Sequence, residues 1–190
     1  MTDKPAVRYP FADTLPPPGE ALQVAPGAWW IRMPLPFALD HINLWLLEDG
    51  DGWTIVDTGI GLEATWSLWE RVLAGPMGGR PVRRIVVTHY HPDHVGSAAW
   101  LAGRTGAPVW MTTGEFLSAH AARDDTAGFD RATGIAFFGL NGLDVSAIPE
   151  KMRTGNRYRK GVPELPRTYR RMLHGDTLEI GGHDWRVICV

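Results

Sequence analysis

Residues 82–112 read VRRIVVTHYHPDHVGSAAWLAGRTGAPVWMT, and this stretch limits what the chain can fold into more than any other. VRRIVVTH has the branched, apolar character of a buried strand. VGSAAWLAGRTG reads as a helix closed by its terminal glycine, and APVWMT returns to strand character. A strand, helix, strand unit is expected. The polar cluster THYHPDH then lies at the C-terminal end of the first strand, in the loop before the helix. In α/β architectures the crevice at that end is where ligands bind.

The flanking sequence supplies the remaining elements. GAWWIRMPL and HINLWLLE are short and rich in aromatic and branched residues, and EDGDG forms a turn before WTIVDTG, so an antiparallel hairpin is expected. In LEATWSLWERVLAG, residues Leu62, Trp66, Trp69 and Leu73 recur at helical spacing, Gly75 and Pro76 end the helix, and both tryptophans are assigned to the core. GEFLSAHAARD reads as another helix, with His120 exposed on it. From about 124 to 172, apolar runs mix with Gly, Pro and basic residues, which reads as an inserted segment of helices and loops. GDTLEIGGHDWRVICV restores the hairpin pattern around Gly181 and Gly182. The proline-rich opening reads as an extended arm over residues 1–21, followed by one domain over 22–190.

The chemistry concentrates in His89, His91, Asp93 and His94. Four such groups in six positions have no packing purpose, and imidazole and carboxylate donors suit zinc and neighbouring first-row metals. The single cysteine, Cys189, excludes a thiolate cluster and an internal disulfide. Pro92 is expected to block regular helix through the loop and to hold His91 extended, so that His89, His91 and Asp93 face one cavity. His94 directly follows Asp93, which lets one loop serve two adjacent metals.

HYHPDH resembles the HxHxDH motif of the metallo-β-lactamase superfamily, TIVDTG resembles its strand-ending aspartate motif, and LHGDTLEIGGHDWRVICV resembles its later strand pair. The resemblance covers roughly residues 22–190. It implies an α+β fold, the four-layer αββα sandwich, with the C-terminal portion missing. By position, His89 and His91 would bind a first metal and Asp93 and His94 a second, with Asp57 beneath them orienting the ligands. Two divalent ions are implied, zinc first, with iron or manganese as alternatives. The implied reaction is attack of a metal-bound hydroxide, oriented by Asp93, on a small ester, thioester, lactone or amide. The family pattern continues beyond WRVICV with a histidine, a bridging aspartate and a final histidine, whereas this sequence ends at Val190. Neither His174 nor His183 fits those positions. The chain is therefore expected to be the N-terminal part of a longer protein, with completion by a partner chain as the alternative.

Charge and hydropathy narrow the partners. No apolar stretch is long enough to span a bilayer and the N-terminus lacks a signal-peptide pattern, so no membrane partner and a cytoplasmic address are expected. The net charge of −2 argues against nucleic acid as an obligatory partner. Between Glu150 and Arg171, eight Lys or Arg face two Glu, giving +6 there and −8 elsewhere. Lys151, Arg153, Arg157, Arg159 and Lys160 could contact phosphates or cap an anionic small-molecule substrate such as a coenzyme A or glutathione thioester; a solvated helix face is the plainer alternative. Pro92, where nuclease branches carry glycine, favours small-molecule hydrolysis over a nuclease or phosphodiesterase. A non-catalytic metal-binding fragment and a homodimer stay open. His41 is a further candidate at a strand start, and Thr88 and Tyr90 could hydrogen-bond beside the ligands.

Overall fold

A computed structural model describes residues 7–11, 14–126 and 128–189. Two sheets form. The larger has seven strands in sequence order: β1 (Ala21–Ala25), β2 (Ala28–Pro34), β3 (His41–Asp49), β4 (Gly52–Val56), β5 (Val82–Val86), β6 (Val109–Thr112) and β7 (Arg170–Met172). Strands β1 to β4 pair antiparallel, with two-residue turns at 26–27 and 50–51 and a longer loop at 35–40, and β4 to β7 pair parallel. The β3–β4 turn uses Gly50 at φ 62°, a conformation open to glycine at little cost. The parallel half follows from the helical crossovers: α1 (Glu63–Ala74) joins β4 to β5, and α3 (Ala98–Thr105) joins β5 to β6. Gly106, left-handed at φ 73°, closes α3.

The strands alternate between two apolar faces. Leu44, Leu46, Ile55, Ile85, Val109 and Met111 pack with Trp69 and Val72 of α1, Leu101 of α3 and Ala119 of α4 (Thr113–Arg123) in the main core. Leu47, Val56, Val86 and Trp110 point the other way, toward Leu178 and Ile180. Those two residues belong to the second sheet, a hairpin of β8 (Thr177–Ile180) and β9 (His183–Arg186). Burying a side chain such as Leu101 or Ile85, both 0% exposed, stabilises the fold by roughly 1.5–3 kcal/mol. The described residues thus contain a helical layer, a seven-stranded sheet and a two-stranded sheet packed on its other face, consistent with the αββα expectation.

The inserted segment contains α5 (Arg131–Leu140), a 3-10 turn at Val145–Ala147, α6 (Glu150–Arg153) and α7 (Arg157–Gly161). It is not wholly helix and loop. Its end, Arg170–Met172, becomes β7 and extends the main sheet beside β6. β1 is a second strand that lies outside the expected pattern, because ALQVA is half-exposed at the sheet edge and carries little apolar periodicity.

Two further expectations need correction. Pro92 does not block helix; it occupies the first position of a one-turn helix, α2 (Pro92–Val95), where its fixed φ fits and its missing N–H costs nothing. His91 is extended, at φ −60° and ψ 146°, but Asp93 and His94 are helical rather than part of an extended alternation. His120 is half-buried, its ring 4.6 Å from Phe116, which stacks on Tyr169 at 4.1 Å. The chain entering β7 brings Tyr169 onto α4 and covers a face that α4 alone would expose.

Candidate metal centre

The loop from Thr88 to Val95 is held from below by Asp57. This residue follows β4, is 5% exposed and sits at φ 62°, a left-handed conformation that Asp tolerates better than most residues. Strand β4 lies parallel to β5, so the two strand ends emerge side by side. Thr88 N–H donates to Asp57 Oδ1 at 2.8 Å, and Thr88 Oγ1 donates to Asp57 Oδ2 at 2.8 Å. His94 Nδ1 donates to Asp57 Oδ2, also at 2.8 Å.

These bonds fix proton positions. A carboxylate only accepts, so the Thr88 hydroxyl spends its proton on Asp57 and offers a lone pair to His89 Nδ1, 3.0 Å away. With Nδ1–H committed in both His89 and His94, the Nε2 lone pair of each neutral ring is free. Metal-binding histidines usually carry such a carboxylate or oxygen partner on the second nitrogen. His94 Nε2 lies 3.6 Å from Asp93 Oδ2. The His89 ring centroid is 3.9 Å from that of His94 and 4.6 Å from that of His91.

The electrostatics split the histidines. Burial, then the neighbouring His94 and His91, lowers the His89 pKa from its ordinary value and favours the neutral, ligating form. Burial also acts to lower that of His94, but the Asp57 hydrogen bond and charge, with Asp93, outweigh it and leave His94 raised.

Gly96 ends the loop at a meeting of three backbone segments. Gly61 N–H donates to Gly161 O at 2.7 Å, and a Cβ on Gly96 would lie 2.3 Å from Pro92 O, 2.4 Å from Gly161 O and 2.5 Å from Gly61 N. The loop, the approach to α1 and the inserted segment therefore touch main chain to main chain.

The rings of His89, His91 and His94 lie together with Asp93 beside His94, and Asp57 lies beneath Thr88 and His94. Their donor types fit a divalent metal as two pairs, His89 with His91 and Asp93 with His94. Among the described residues, no group of three or more His, Cys, Asp or Glu side chains is arranged to hold a metal ion. His41 is engaged elsewhere, its Nδ1 contacting Asp40 and, at 2.8 Å, Arg32. His174 Nδ1 accepts from Cys189 N–H at 3.1 Å. Trp69 is buried as expected, donating from Nε1 to Thr58 O at 2.8 Å, and Trp66 stacks on Trp100 at 5.8 Å.

The basic segment is partly structural. Arg159 donates to Arg123 O and lies 3.6 Å from Asp124, closing the C-terminal end of α4; Arg153, Arg157 and Lys160 are exposed, and the side chain of Lys151 lies outside the described residues. A cavity of about 640 Å³ lies at the opposite end of the sheet, between Glu48, Gly181 and Trp185, away from this loop.

Two residues at the site carried no signal. Glu115 Oε2 accepts from Tyr90 N–H at 2.7 Å, and Tyr158 Oη donates to Tyr90 O at 2.5 Å. Thr112 and Glu115 have capping-box spacing, and Thr112 Oγ1 does accept from Glu115 N–H at 3.3 Å. The Glu115 carboxylate, however, leaves the helix for the loop.

A family model described as the metallo-beta-lactamase superfamily matches residues 38–187. A crystal structure of a beta-lactamase domain protein from Burkholderia ambifaria is 43% identical, covers 94% of this chain and 51% of its own, and superposes with a TM-score of 0.76. A metallo-beta-lactamase family protein from Thermus thermophilus is 30% identical, with 87% of this chain and 52% of its own covered, and a TM-score of 0.68. A hydroxyacylglutathione hydrolase of Albidiferax ferrireducens is 36% identical over 78 residues, 41% of this chain and 28% of the relative. The chain spans about half the length of these solved structures and less of the curated relative.

Proposed function

This chain belongs to the metallo-β-lactamase superfamily, and from that premise we propose that it carries half of a binuclear metal site that hydrolyses a small ester, thioester, lactone or amide. His89 and His91 would hold one divalent ion, and Asp93 and His94 the other, with zinc favoured by the nitrogen and oxygen donors. When bound, such ions make water nucleophilic near neutral pH and polarise the substrate oxygen. The carrying observation is the Asp57 network, which commits Nδ1 of His89 and His94 and leaves Nε2 of both as acceptors, that of His94 3.6 Å from Asp93 Oδ2.

The residues divide the work. Asp57 orients His94 directly and His89 through Thr88. Asp93, half-buried beside His94 Nε2, would accept a hydrogen bond from the attacking water and hold its proton as the bond to substrate forms. His91 is exposed, so substrate and solvent would reach it first. The relative named hydroxyacylglutathione hydrolase supports a thioester as the first substrate to try. The exposed Arg153, Arg157 and Lys160 would favour an anionic one. The diversion of Arg159 to the end of α4 weakens the phosphodiester alternative.

The test uses the protein expressed from its full reading frame. Metal content near two ions per chain, thioester or lactone turnover abolished by a chelator and restored by zinc, and an inactive but folded His91→Ala variant are expected. Undiminished turnover in His91→Ala would remove the metal assignment.

A further inference from the structure

We propose that Glu115 and Tyr158 are positioning residues for the His89–His91 pair, acting by gripping both backbone polar groups of Tyr90 between them. This rests on the reading of His89 and His91 as metal ligands. An HxH pair presents both rings to one ion only if the intervening residue keeps its backbone orientation, because rotation of either peptide plane swings a ring away. The sheet does not supply that restraint. β5 ends at Val86 and α2 starts at Pro92, so Tyr90 lies in neither ladder nor helix.

Two side chains from distant parts of the chain replace the missing ladder. Glu115, in the first turn of α4, accepts the Tyr90 N–H at 2.7 Å as a charge-assisted bond. Tyr158, on α7 of the inserted segment, donates to the Tyr90 carbonyl at 2.5 Å. The grip is reinforced by rings: Tyr158 stacks on Tyr90 at 6.2 Å, and Phe129 meets the same ring edge-on at 6.1 Å. Burial, then the neighbouring Tyr90 and Glu115, raises the pKa of the Tyr158 hydroxyl far above the usual phenol range, so it remains a donor throughout the working pH range. The inserted segment is thereby tied to the peptide between the two ligands. Anything that moves α7 moves the His89–His91 geometry.

The experiment compares wild type, Tyr158→Phe, Glu115→Ala, Glu115→Gln and His91→Ala, all from the full reading frame. Zinc affinity is measured by competition with a chromophoric chelator, the cobalt-substituted visible spectrum is recorded, and exchange of the Tyr90 amide is followed without metal. Tyr158→Phe and Glu115→Ala are expected to weaken zinc binding about 10- to 100-fold, the usual consequence of losing a group that orients a ligand. Their cobalt bands should shift. Tyr90 amide exchange should accelerate in Glu115→Ala, and Glu115→Gln, which keeps an acceptor oxygen, should restore most of the affinity and protection. Tyr158→Phe with wild-type affinity and spectrum overturns the proposal, even with a lowered Tm, since it would then be only a brace. That variant decides alone if Glu115→Ala does not fold. If His91→Ala also binds zinc like wild type, the metal reading itself has failed, and the positioning roles fall with it.

Discussion

Replacement of Asp57 separates what it does for the fold from what it does for the proposed ligands His89 and His94. The carboxylate is 5% exposed and accepts from Thr88 N–H, Thr88 Oγ1 and His94 Nδ1, each at 2.8 Å. Asp57→Asn keeps a carbonyl oxygen for Thr88 N–H and a residue that tolerates φ 62°, but turns an NH2 toward two donors. A hydrogen bond to a charged group contributes about 1.5–3 kcal/mol, so a loss of about 2 kcal/mol is expected once the oxygen that remains is counted. Asp57→Ala removes every acceptor, strands the Thr88 N–H, and adds roughly 1–2 kcal/mol of left-handed strain. Its expected cost is about 4–5 kcal/mol: about 2 as in the Asn variant, about 1 for the stranded N–H, and the strain.

For a chain of this size each kcal/mol moves Tm by about 2–4 °C, which gives falls of about 4–8 °C for Asn and about 8–20 °C for Ala. Zinc affinity should behave differently, falling about 10- to 100-fold in both variants, because both lose the acceptor that orients His94. Differential scanning calorimetry of the metal-free proteins and a chelator competition supply the two measurements. An Asn variant that binds zinc like wild type would refute the orienting role, and an Ala variant no less stable than Asn would refute the anchoring of Thr88.

Gly96→Ala should destabilise by about 3 kcal/mol or more, since the added Cβ meets three backbone atoms within 2.5 Å that belong to separate segments, whereas Gly103→Ala, with open space at that position, should stabilise by about 0.5–1 kcal/mol; paired urea denaturation curves check both. In metal-free protein the raised pKa of His94 makes its contribution to stability full below its ordinary value of 6.5 and lost as pH rises through the folded value. The Tm advantage of wild type over His94→Gln should therefore be largest below pH 6.5 and shrink above it; a constant or growing advantage would contradict the Asp57 pairing. The lowered pKa of His89 acts in the opposite sense, so His89→Gln should recover part of the stability that wild type loses as pH falls below 6.5.

The sequence by itself determined what short-range physics can express. The short aromatic and branched run HINLWLLE announced a strand; Trp69 and Leu73 announced a helix face that Gly75 and Pro76 end; Gly106 announced the end of the following helix. The candidate ligand cluster was legible because all four groups lie within one loop, and resemblance to a known family then supplied the proposed roles of its members and of Asp57. Pro92 was misjudged because one residue type both stops a strand and starts a helix, and neighbours decide which.

Only the tertiary structure decided the rest. The bond from Glu115 to Tyr90 spans 25 residues, that from Tyr158 spans 68, and that from Asp57 to His94 spans 37. None leaves a local trace, since a side chain that leaves its own helix to serve another segment looks in sequence like an ordinary helix residue. The convergence of Gly61, Gly96 and Gly161 is of the same kind. Each glycine alone reads as a loop residue, and their shared purpose exists only where three backbones approach too closely for any side chain.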